Sequence, residues 1–484
     1  MGPSPPPSGS RSRGALESVF GLDPRSLATF RIGLGSLLLV DLAFRVPSLS
    51  LLYGERGWVA TSALPEAGET LFFFYQIADA PGPLALVFSL TVLSALAMAL
   101  GYRTRWATAA CWLLVGSLHA GNPILVNYGD RILHALLFWG LFLPLGARFS
   151  LDARRRAGPA PTAPVLSFGS AGLVLQFVCI YLMAALLKTG PEWHGDANAI
   201  QYVLREEYVV RASSLWLVER TEILGLMTRL VYVWEVVAPL VLLIPLPKGV
   251  GRIAVVLSIW IFHLGLAFFM RLGVFPFFCI AGTSVLLPAL LWGGLRGDPA
   301  VSVREAARPW ARRIGATVAA AAALFLIAQN AATWAGRSVL PGAVHRVARF
   351  VGLNQRWGMY APAPAKTDGF HVFAGTLADG STRDLHSGAS PVSYEPPPLP
   401  WGHADLRIAM FVKHLPTFEE MQWRVATRLC HDWNAEHSGD QQLASIQLVY
   451  VEEERGSFQG RGTLTPHRLA GMDCSPESPL PPPR

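Results

Sequence analysis

The sequence predicts an all-α membrane protein of about nine transmembrane helices, followed by a small α+β extracytoplasmic domain. Hydrophobic residues make up 52% of the 484-residue chain, and charged residues make up only 15%. Soluble globular chains carry about 25% charged residues, so this composition indicates an integral membrane protein. From about residue 345, short apolar runs alternate with turn signals, which is typical of a soluble domain.

Nine apolar segments are long enough to cross a hydrocarbon core of ~30 Å. Basic residues concentrate in alternate connections, and cytoplasmic loops carry the excess of lysine and arginine. We therefore expect a multi-pass protein of the cell membrane with a cytoplasmic N-terminus and an extracytoplasmic C-terminal domain. The connection 189–222 then lies outside and should contain re-entrant or interfacial helices. The segments cover about 27–44, 83–100, 106–122, 129–146, 166–187, 223–246, 251–270, 273–293 and 313–334.

The chain divides into four regions. A disordered N-terminal tail (1–20) precedes the transmembrane domain (21–335), and a soluble α+β domain (345–465) precedes a disordered Pro-rich tail (466–484). In the soluble domain, "LRIAMFV" and "SIQLVYVEEE" are expected to be strands. The helix predicted between them has Thr417 and Glu420 as a capping box. Its apolar stripe contains Phe418, Met421, Val425, Leu429 and Trp433.

Composition also argues against several classes of function. The net charge of +7 comes with no basic block of interleaved aromatics, so nucleic-acid binding is not expected, and membrane lipid is the expected partner. The five cysteines show no CxxC or Cys/His spacing, so no metal site is predicted. A disulfide between Cys430 and Cys474 requires that the tail face an oxidising compartment.

Lys188 is the first candidate for chemistry. The chain has 40 basic residues, of which only four are lysines, and Lys188 stands where the fifth apolar segment ends. Arginine does not lose its proton in a protein, whereas a buried lysine far from carboxylates becomes neutral more easily and then acts as a base. The alternative is a charged lysine that snorkels to the membrane interface. Tyr181, seven residues earlier, lies on the same helix face.

Asp130 opens the fourth segment, beside Asn127 and Tyr128. The carboxylate either complements the dipole of its helix, orients a polar substrate, or pairs with Lys188. His263 lies deep in the seventh segment, as a satisfied core residue or as a functional one.

Two further acids lie inside apolar segments. Glu235 must be protonated or paired, because an isolated charge in a span is costly. Asp41 and Arg45 are four residues apart and are expected to pair along one helix face.

Three segments of the chain show a family resemblance: "FRIGLGSLLLVDLAFR", "GYRTRWATAACWLL" and "NYGDRILHALLFWGLFLPLGARFSLD". They resemble the horizontally transferred transmembrane (HTTM) domain, which vitamin K-dependent γ-glutamyl carboxylases share with many bacterial membrane proteins. The resemblance covers roughly residues 20–295. "IYLMAALLKTGPEWHGDANAIQYVL" is similar to the carboxylase stretch that carries the lysine base, and "FHLGLAFFMRLGVFPF" is similar to a second carboxylase span.

The resemblance implies a quinone-epoxidising carbon–carbon lyase. In such enzymes a neutral lysine deprotonates reduced vitamin K, whose reaction with oxygen yields a base that removes a γ-proton from a peptide glutamate before CO2 adds. It implies a reduced vitamin K-type quinone as cofactor and a peptide or protein client on the external side. Asp130 stands about where the carboxylases have a histidine, which is a departure from the family pattern. Residue positions and the resemblance together give Lys188, Asp130 and His263 as candidate catalytic residues, and Tyr181, Asn127, Tyr128 and Trp193 as candidate cofactor-binding residues.

Three functions remain open from the sequence. A quinone-dependent enzyme needs these side chains around one apolar cavity that lipid can reach. A maturation or export factor for a secreted peptide, without redox chemistry, needs an exposed apolar groove on the external domain. A transporter needs a water-filled route to both faces, and the sequence lacks the repeated broken helices that would favour it.

Overall fold

A computed structural model of the chain describes residues 8–54, 56–59, 74–77, 80–206, 208–293, 301–303, 309–337, 341–396, 406–454 and 462–475. Helices make up the first part of the chain, and strands occur in the C-terminal domain. The strands are β1 Thr367–Leu377, β2 Thr382–Asp384, β3 Leu443–Glu454 and β4 Thr463–Asp473. The helices are α1 Ser8–Phe20, α2 Pro24–Arg45, α3 Leu49–Tyr53, α4 Phe74–Ile77, α5 Pro81–Leu100, α6 Thr104–Gly121, α7 Tyr128–Gly140, α8 Leu151–Arg154, α9 Phe168–Leu186, α10 Pro191–His194, α11 Ala199–Val203, α12 Leu215–Val218, α13 Thr221–Val241, α14 Val250–Phe269, α15 Phe275–Thr283, α16 Pro309–Trp334, α17 Gly342–Val351, α18 Leu406–His414 and α19 Glu419–Glu436.

Six of the described helices are long and apolar enough to cross a membrane: α2, α5, α9, α13, α14 and α16. The segments predicted at 106–122, 129–146 and 273–293 coincide with α6, α7 and α15, which are shorter or less apolar. The 13 residues of α7 span only ~20 Å at 1.5 Å per residue. Six candidate spans therefore stand, and the total of nine remains a prediction.

Helix α9 lies at the centre of the bundle, where it packs against α7, α13 and α16. Its capping box, in which Ser167 and Ser170 exchange hydrogen bonds, defines where the helix begins. Gly172 allows close approach to α7, because a Cβ there would lie 2.1 Å from the ring of Trp139, which is fully buried.

We expect Gly172→Ala to lower the free energy of unfolding by ~1–3 kcal/mol, because the added methyl group overpacks a rigid ring. The measurement is thermal unfolding of the purified protein in detergent. Gly265→Ala is the matched control, since a Cβ at that position of α14 meets no atom within 4 Å. Equal effects of the two substitutions would contradict close packing at Gly172.

A buried chain of hydrogen bonds holds the segment 352–366, which follows α17, against the bundle. Trp139 Nε1 donates to Gln176 Oε1 at 3.2 Å, and Gln176 Nε2 donates to Gln355 Oε1 at 2.6 Å. Trp357 Nε1 donates to the same Gln355 oxygen at 3.0 Å. Every member is buried, so this network specifies where the segment lies on α7 and α9.

The C-terminal domain is a four-stranded antiparallel sheet in the order β2-β1-β3-β4, with α19 packed on β3 and β4. A disulfide between Cys430 and Cys474 joins α19 to the end of β4. The strand predicted at "SIQLVYVEEE" is confirmed as β3. The apolar stripe of α19 is confirmed as well, because Met421 and Val425 are fully buried in the core.

Two predictions in this domain are wrong. "LRIAMFV" forms α18 rather than a strand, and the helix places Arg407 and Phe411 on one face, where both are buried. Thr417 and Glu420 form no capping box: α19 has Phe418 at its N-cap, without a side-chain hydrogen bond, and Thr417 belongs to the preceding 3-10 turn. Tertiary contacts at Arg407 thus override the local pattern.

At both ends of the chain, the predicted limits of the disordered tails differ from the observed elements. Helix α1 lies within the segment 1–20, and β4 continues to Asp473, past the predicted domain end at 465. Residues 1–7 and 476–484 lie outside the described residues. The connection 189–222 contains the short helices α10, α11 and α12, and their re-entrant or interfacial position remains a prediction.

Candidate functional site

Lys188 follows α9 directly, and its Nζ donates a hydrogen bond to Glu235 Oε2 on α13. The side chains are 4% and 5% exposed, so the predicted burial of Lys188 is confirmed. The condition for an easily neutralised lysine, that carboxylates lie far away, is not met. Glu235 is paired, as its position in a span required, and Nζ also lies 4.4 Å from the ring centroid of Trp193.

Tyr181 and His263 form a second buried pair, deeper in the bundle. The Tyr181 hydroxyl and His263 Nε2 are 3.0 Å apart, and His263 is 1% exposed. The Tyr181 ring packs against Trp234, the neighbour of Glu235, with centroids 5.5 Å apart. Among the described residues, His263 Nδ1 has no hydrogen-bond partner. Nε2 of His263 thus contacts Tyr181, and the buried Nδ1 is left for another hydrogen-bonding group.

Residues 360–366 pack against the segment 190–193, which follows Lys188, and we call residues 360–366 the roof. Trp193 Nε1 donates to the Tyr360 carbonyl at 3.0 Å, and the amide of Gly190 donates to the Pro362 carbonyl at 2.9 Å. Lys366 pairs with Glu192 at 2.9 Å. Sequence reasoning did not assign the roof to this site. The available signal was Lys366, another of the four lysines, in the Pro-rich run "APAPAK".

Asp130 lies at the first turn of α7 and does not pair with Lys188, so that alternative is wrong. It forms a capping box with Asn127: the Asp130 amide donates to Asn127 Oδ1 at 3.0 Å, and Asp130 Oδ2 accepts from the Asn127 amide at 2.9 Å. The carboxylate also accepts from Arg45 at 2.8 Å and from Arg407. Asn127 therefore has a structural role as a helix cap.

Asp41, Arg45, Asp130 and Arg407 form a buried, charge-balanced group that we call the four-charge cluster. The predicted pair of Asp41 and Arg45 is confirmed at 2.8 Å, and Arg407 also contacts Asp41 at 2.9 Å. Since Arg407 belongs to α18, the cluster fastens the C-terminal domain to α2 and α7. Sequence reasoning missed Arg407 because it was assigned to a strand.

The predicted site residues thus fall into two neighbouring groups, separated by Phe275. Lys188, Tyr181, His263 and Trp193 belong to the first group, and Asn127, Tyr128 and Asp130 to the second. The Phe275 ring lies 5.5 Å from that of His263, and its Cα lies 3.0 Å from where a Cβ of Gly129 would be. Tyr128 packs near Trp357, with ring centroids 6.2 Å apart.

A cavity of about 310 Å³ lies on the far side of the roof, between the connection 189–222 and the C-terminal domain. Tyr360 links the two places, because its hydroxyl donates to Glu206 in the cavity wall at 3.1 Å while its carbonyl holds Trp193. We call this space the tyrosine cavity. The residues that line the cavity are Tyr202, Val203, Glu206, Tyr208, Tyr360, Pro364, Ala365, Thr367, Asp368, Gly369, Lys413 and Tyr450.

His371 lies behind this cavity, where its Nδ1 is 2.6 Å from the Tyr208 hydroxyl. Complete burial, with repulsion from His386, lowers the pKa of His371 to about 3. An unfolded chain takes up this proton below about pH 6.5. The folded chain takes it up only near pH 3, so stability is lost as pH falls between these values.

We expect His371→Gln to reduce this loss of stability in acid, because the variant lacks the buried imidazole. The measurement is the unfolding temperature at a series of pH values from 7 to 4. His467→Gln, at an exposed position of β4, is the control and should keep the wild-type slope. The same flattening in both variants would contradict the assignment to His371.

Among the residues that the structure describes, no group of three or more His, Cys, Asp or Glu side chains could hold a metal ion.

Comparison with known proteins identifies the membrane part of the chain. A family model described as the HTTM domain matches residues 21–290. No curated protein matches the chain, and no solved structure does. The matched region includes α2, α5, α9, α13 and α14, five of the six candidate spans. Since the match covers more than half of the 484 residues, the chain belongs to the HTTM domain family and is a multi-pass membrane protein.

Proposed function

We propose that this protein is a membrane enzyme that uses a reduced quinone to modify a peptide or protein client, with Lys188 as its base. The observation that carries the proposal is the buried pair of Lys188 and Glu235, with the amine beside Trp193. Ionisable groups inside a bundle of spans are costly, and they mark functional sites more often than structural ones.

The contact with Glu235 changes how such a base would work. Taking both charges out of water costs several kcal/mol per ion, and this cost disappears when the proton moves from the amine to the carboxylate. The pair stays neutral overall in either state. Lys188 would then present a lone pair to a bound phenol, while Glu235 holds the proton that the amine gave up.

The surroundings fit a quinone ring. Trp193 offers an aromatic face beside the amine, and Tyr181, Trp234 and Phe275 line the region around His263. The unpartnered His263 Nδ1 is a hydrogen-bonding group for a ring oxygen. Bound there, a reduced quinone would supply, with oxygen, a base strong enough to remove a carbon-bound proton. The chain's own residues would orient the ring and take up its phenolic proton.

Two observations support a client on the external side. The Cys430–Cys474 disulfide is typical of an oxidising compartment, outside the cytoplasm. The alternation of basic connections favours the same placement of the C-terminal domain, with a cytoplasmic N-terminus. A client bound by this domain would lie beside the roof, which contacts the segment that follows Lys188.

The decisive test is epoxide formation by purified protein in lipid nanodiscs with reduced menaquinone, oxygen and CO2. We expect quinone epoxide from wild type and a loss of about 100-fold or more in Lys188→Ala, as for removal of a general base. Arg468→Met, an exposed site on β4, should retain the wild-type rate. Absence of epoxide from wild type with any menaquinone tested would overturn the proposal.

The tyrosine cavity favours a second candidate, a maturation or export factor that holds a secreted peptide without redox chemistry. The cavity lies between the connection 189–222 and the C-terminal domain, and neither Lys188 nor Glu235 lines it. In that case the client binds to wild type and to Lys188→Ala with equal affinity, and no quinone is consumed.

A further inference from the structure

We infer that the turn after α5 and the end of α8 together bind the headgroup of one anionic phospholipid, whose acyl chains lie along α5. We call this site the arginine platform, and it consists of Tyr102, Arg103, Arg105 and residues 154–156. The inference is independent of the proposed function, because it uses none of the residues around Lys188.

The arginine platform has an excess of positive charge. In the two stretches 101–106 and 150–156, five exposed arginines stand against one carboxylate, that of Asp152, which interacts electrostatically with Arg155. Four of the five positive charges therefore have no counter-charge in these loops. Clusters of about four to eight basic residues beside the cytoplasmic end of a span attract anionic headgroups. The five are Arg103, Arg105, Arg154, Arg155 and Arg156.

Two of these arginines share one aromatic ring. The guanidinium carbons of Arg103 and Arg155 lie 5.9 Å and 5.3 Å from the ring centroid of Tyr102. Both distances are within the ~6 Å over which the face of a ring attracts a cation. The ring thus brings together two guanidinium groups from different loops, and the planar fork of such groups matches the oxygens of a phosphate.

The backbone below the platform is held in a specific conformation. Arg103 has a φ of 43°, in the left-handed region that non-glycine residues rarely adopt. Asp152 stabilises this turn by accepting hydrogen bonds from the amides of Arg103 at 2.9 Å and Thr104 at 2.7 Å. The amide of Asp152 in turn donates to the Gly101 carbonyl at 3.0 Å. An exposed arginine kept in a strained conformation supports a functional role for the turn.

An apolar path beside the platform favours a lipid over a free phosphate. Helix α5 is a candidate span that ends directly before Gly101. Trp106, in the first turn of α6, is 75% exposed, and tryptophan is enriched where a span meets the headgroup layer. Five exposed leucines of α5 are spaced so that they lie on one helix face, where acyl chains can pack. They are Leu86, Leu90, Leu93, Leu96 and Leu100.

The test titrates the full chain in detergent with dioleoylphosphatidylglycerol, and native mass spectrometry measures the occupancy of the first bound lipid. We expect this lipid to bind about tenfold more tightly than dioleoylphosphatidylcholine, which has no net charge. Arg103→Gln and Arg155→Gln should each weaken its binding about fivefold, as for one arginine beside an anionic headgroup. Tyr102→Leu changes no charge but releases both guanidinium groups, and it should weaken binding about threefold.

Arg313→Gln is the matched control, because it removes an exposed arginine of α16 from the same predicted side of the membrane. It should leave the affinity for phosphatidylglycerol unchanged. Equal losses in Arg103→Gln and Arg313→Gln, or no loss in Tyr102→Leu, would overturn the inference, because diffuse charge would then explain the binding. Equal binding of the two lipids would overturn it as well.

Glycerophosphoglycerol, the same headgroup without acyl chains, distinguishes a lipid from a free phosphate ester. We expect it to bind about tenfold more weakly than the lipid or worse, because it lacks the contact with the leucines of α5. If it binds as tightly as phosphatidylglycerol, the lipid assignment fails.

Discussion

Arg407→Met is expected to lower the free energy of unfolding by ~3–5 kcal/mol and to loosen the C-terminal domain from the helix bundle. The substitution removes one of the two arginines that contact both Asp41 and Asp130, and the two carboxylates stay buried beside Arg45. A buried carboxylate without its partner costs far more than the ion pair contributes. The measurements are thermal unfolding in detergent and the rate of limited proteolysis of the C-terminal domain.

A second substitution tests whether charge is the cause. In the double variant Arg407→Met with Asp130→Asn, one positive and one negative group remain, Arg45 and Asp41, and much of the stability should return. Arg468→Met controls for loss of an arginine from the domain surface. If the double variant is no more stable than Arg407→Met, packing around α18 rather than charge balance holds the two parts together.

Lys188→Met is expected to destabilise the protein by ~3–5 kcal/mol, because it leaves Glu235 buried and unpaired. The double variant Lys188→Met with Glu235→Met should recover most of that loss. Apolar residues of similar volume often replace a buried ion pair without cost, and sometimes with a gain. Unfolding temperatures of the two single variants, the double variant and wild type complete the cycle.

The double variant also separates structure from chemistry. We expect a stable protein that forms no quinone epoxide, because the bundle is repaired while the amine is absent. Epoxide formation by this variant would remove Lys188 as the base. Full stability of Lys188→Met alone would instead contradict the buried pair itself.

Much of the fold follows from local patterns. Long apolar runs predict the candidate spans, since a helix that buries or exposes only apolar side chains suits a hydrocarbon core. Alternation predicts β3, and the 3.6-residue period predicts α19 with its buried Met421 and Val425. Asp41 and Arg45 pair as predicted because both are on one helix, four residues apart.

Partners that are distant in the chain could not be predicted this way. Glu235 is 47 residues from Lys188, and Arg407 is 277 residues from Asp130. The sequence shows that Lys188 and Asp130 are costly charges in apolar surroundings. Composition and hydrophobic periodicity carry no information on which oppositely charged residue of another helix contacts them.

The sequence by itself therefore determined that this is a helical membrane protein with a small mixed domain, and that Glu235 had to be protonated or paired, whereas it left alternatives open for Lys188 and Asp130. Only the tertiary structure decided that Lys188 lies against Glu235 and that Asp130 holds the C-terminal domain through Arg407. The physical reason is that the buried face of a helix or strand follows from the spacing of apolar residues within that element. The neutralisation of a buried charge depends instead on how several elements pack together.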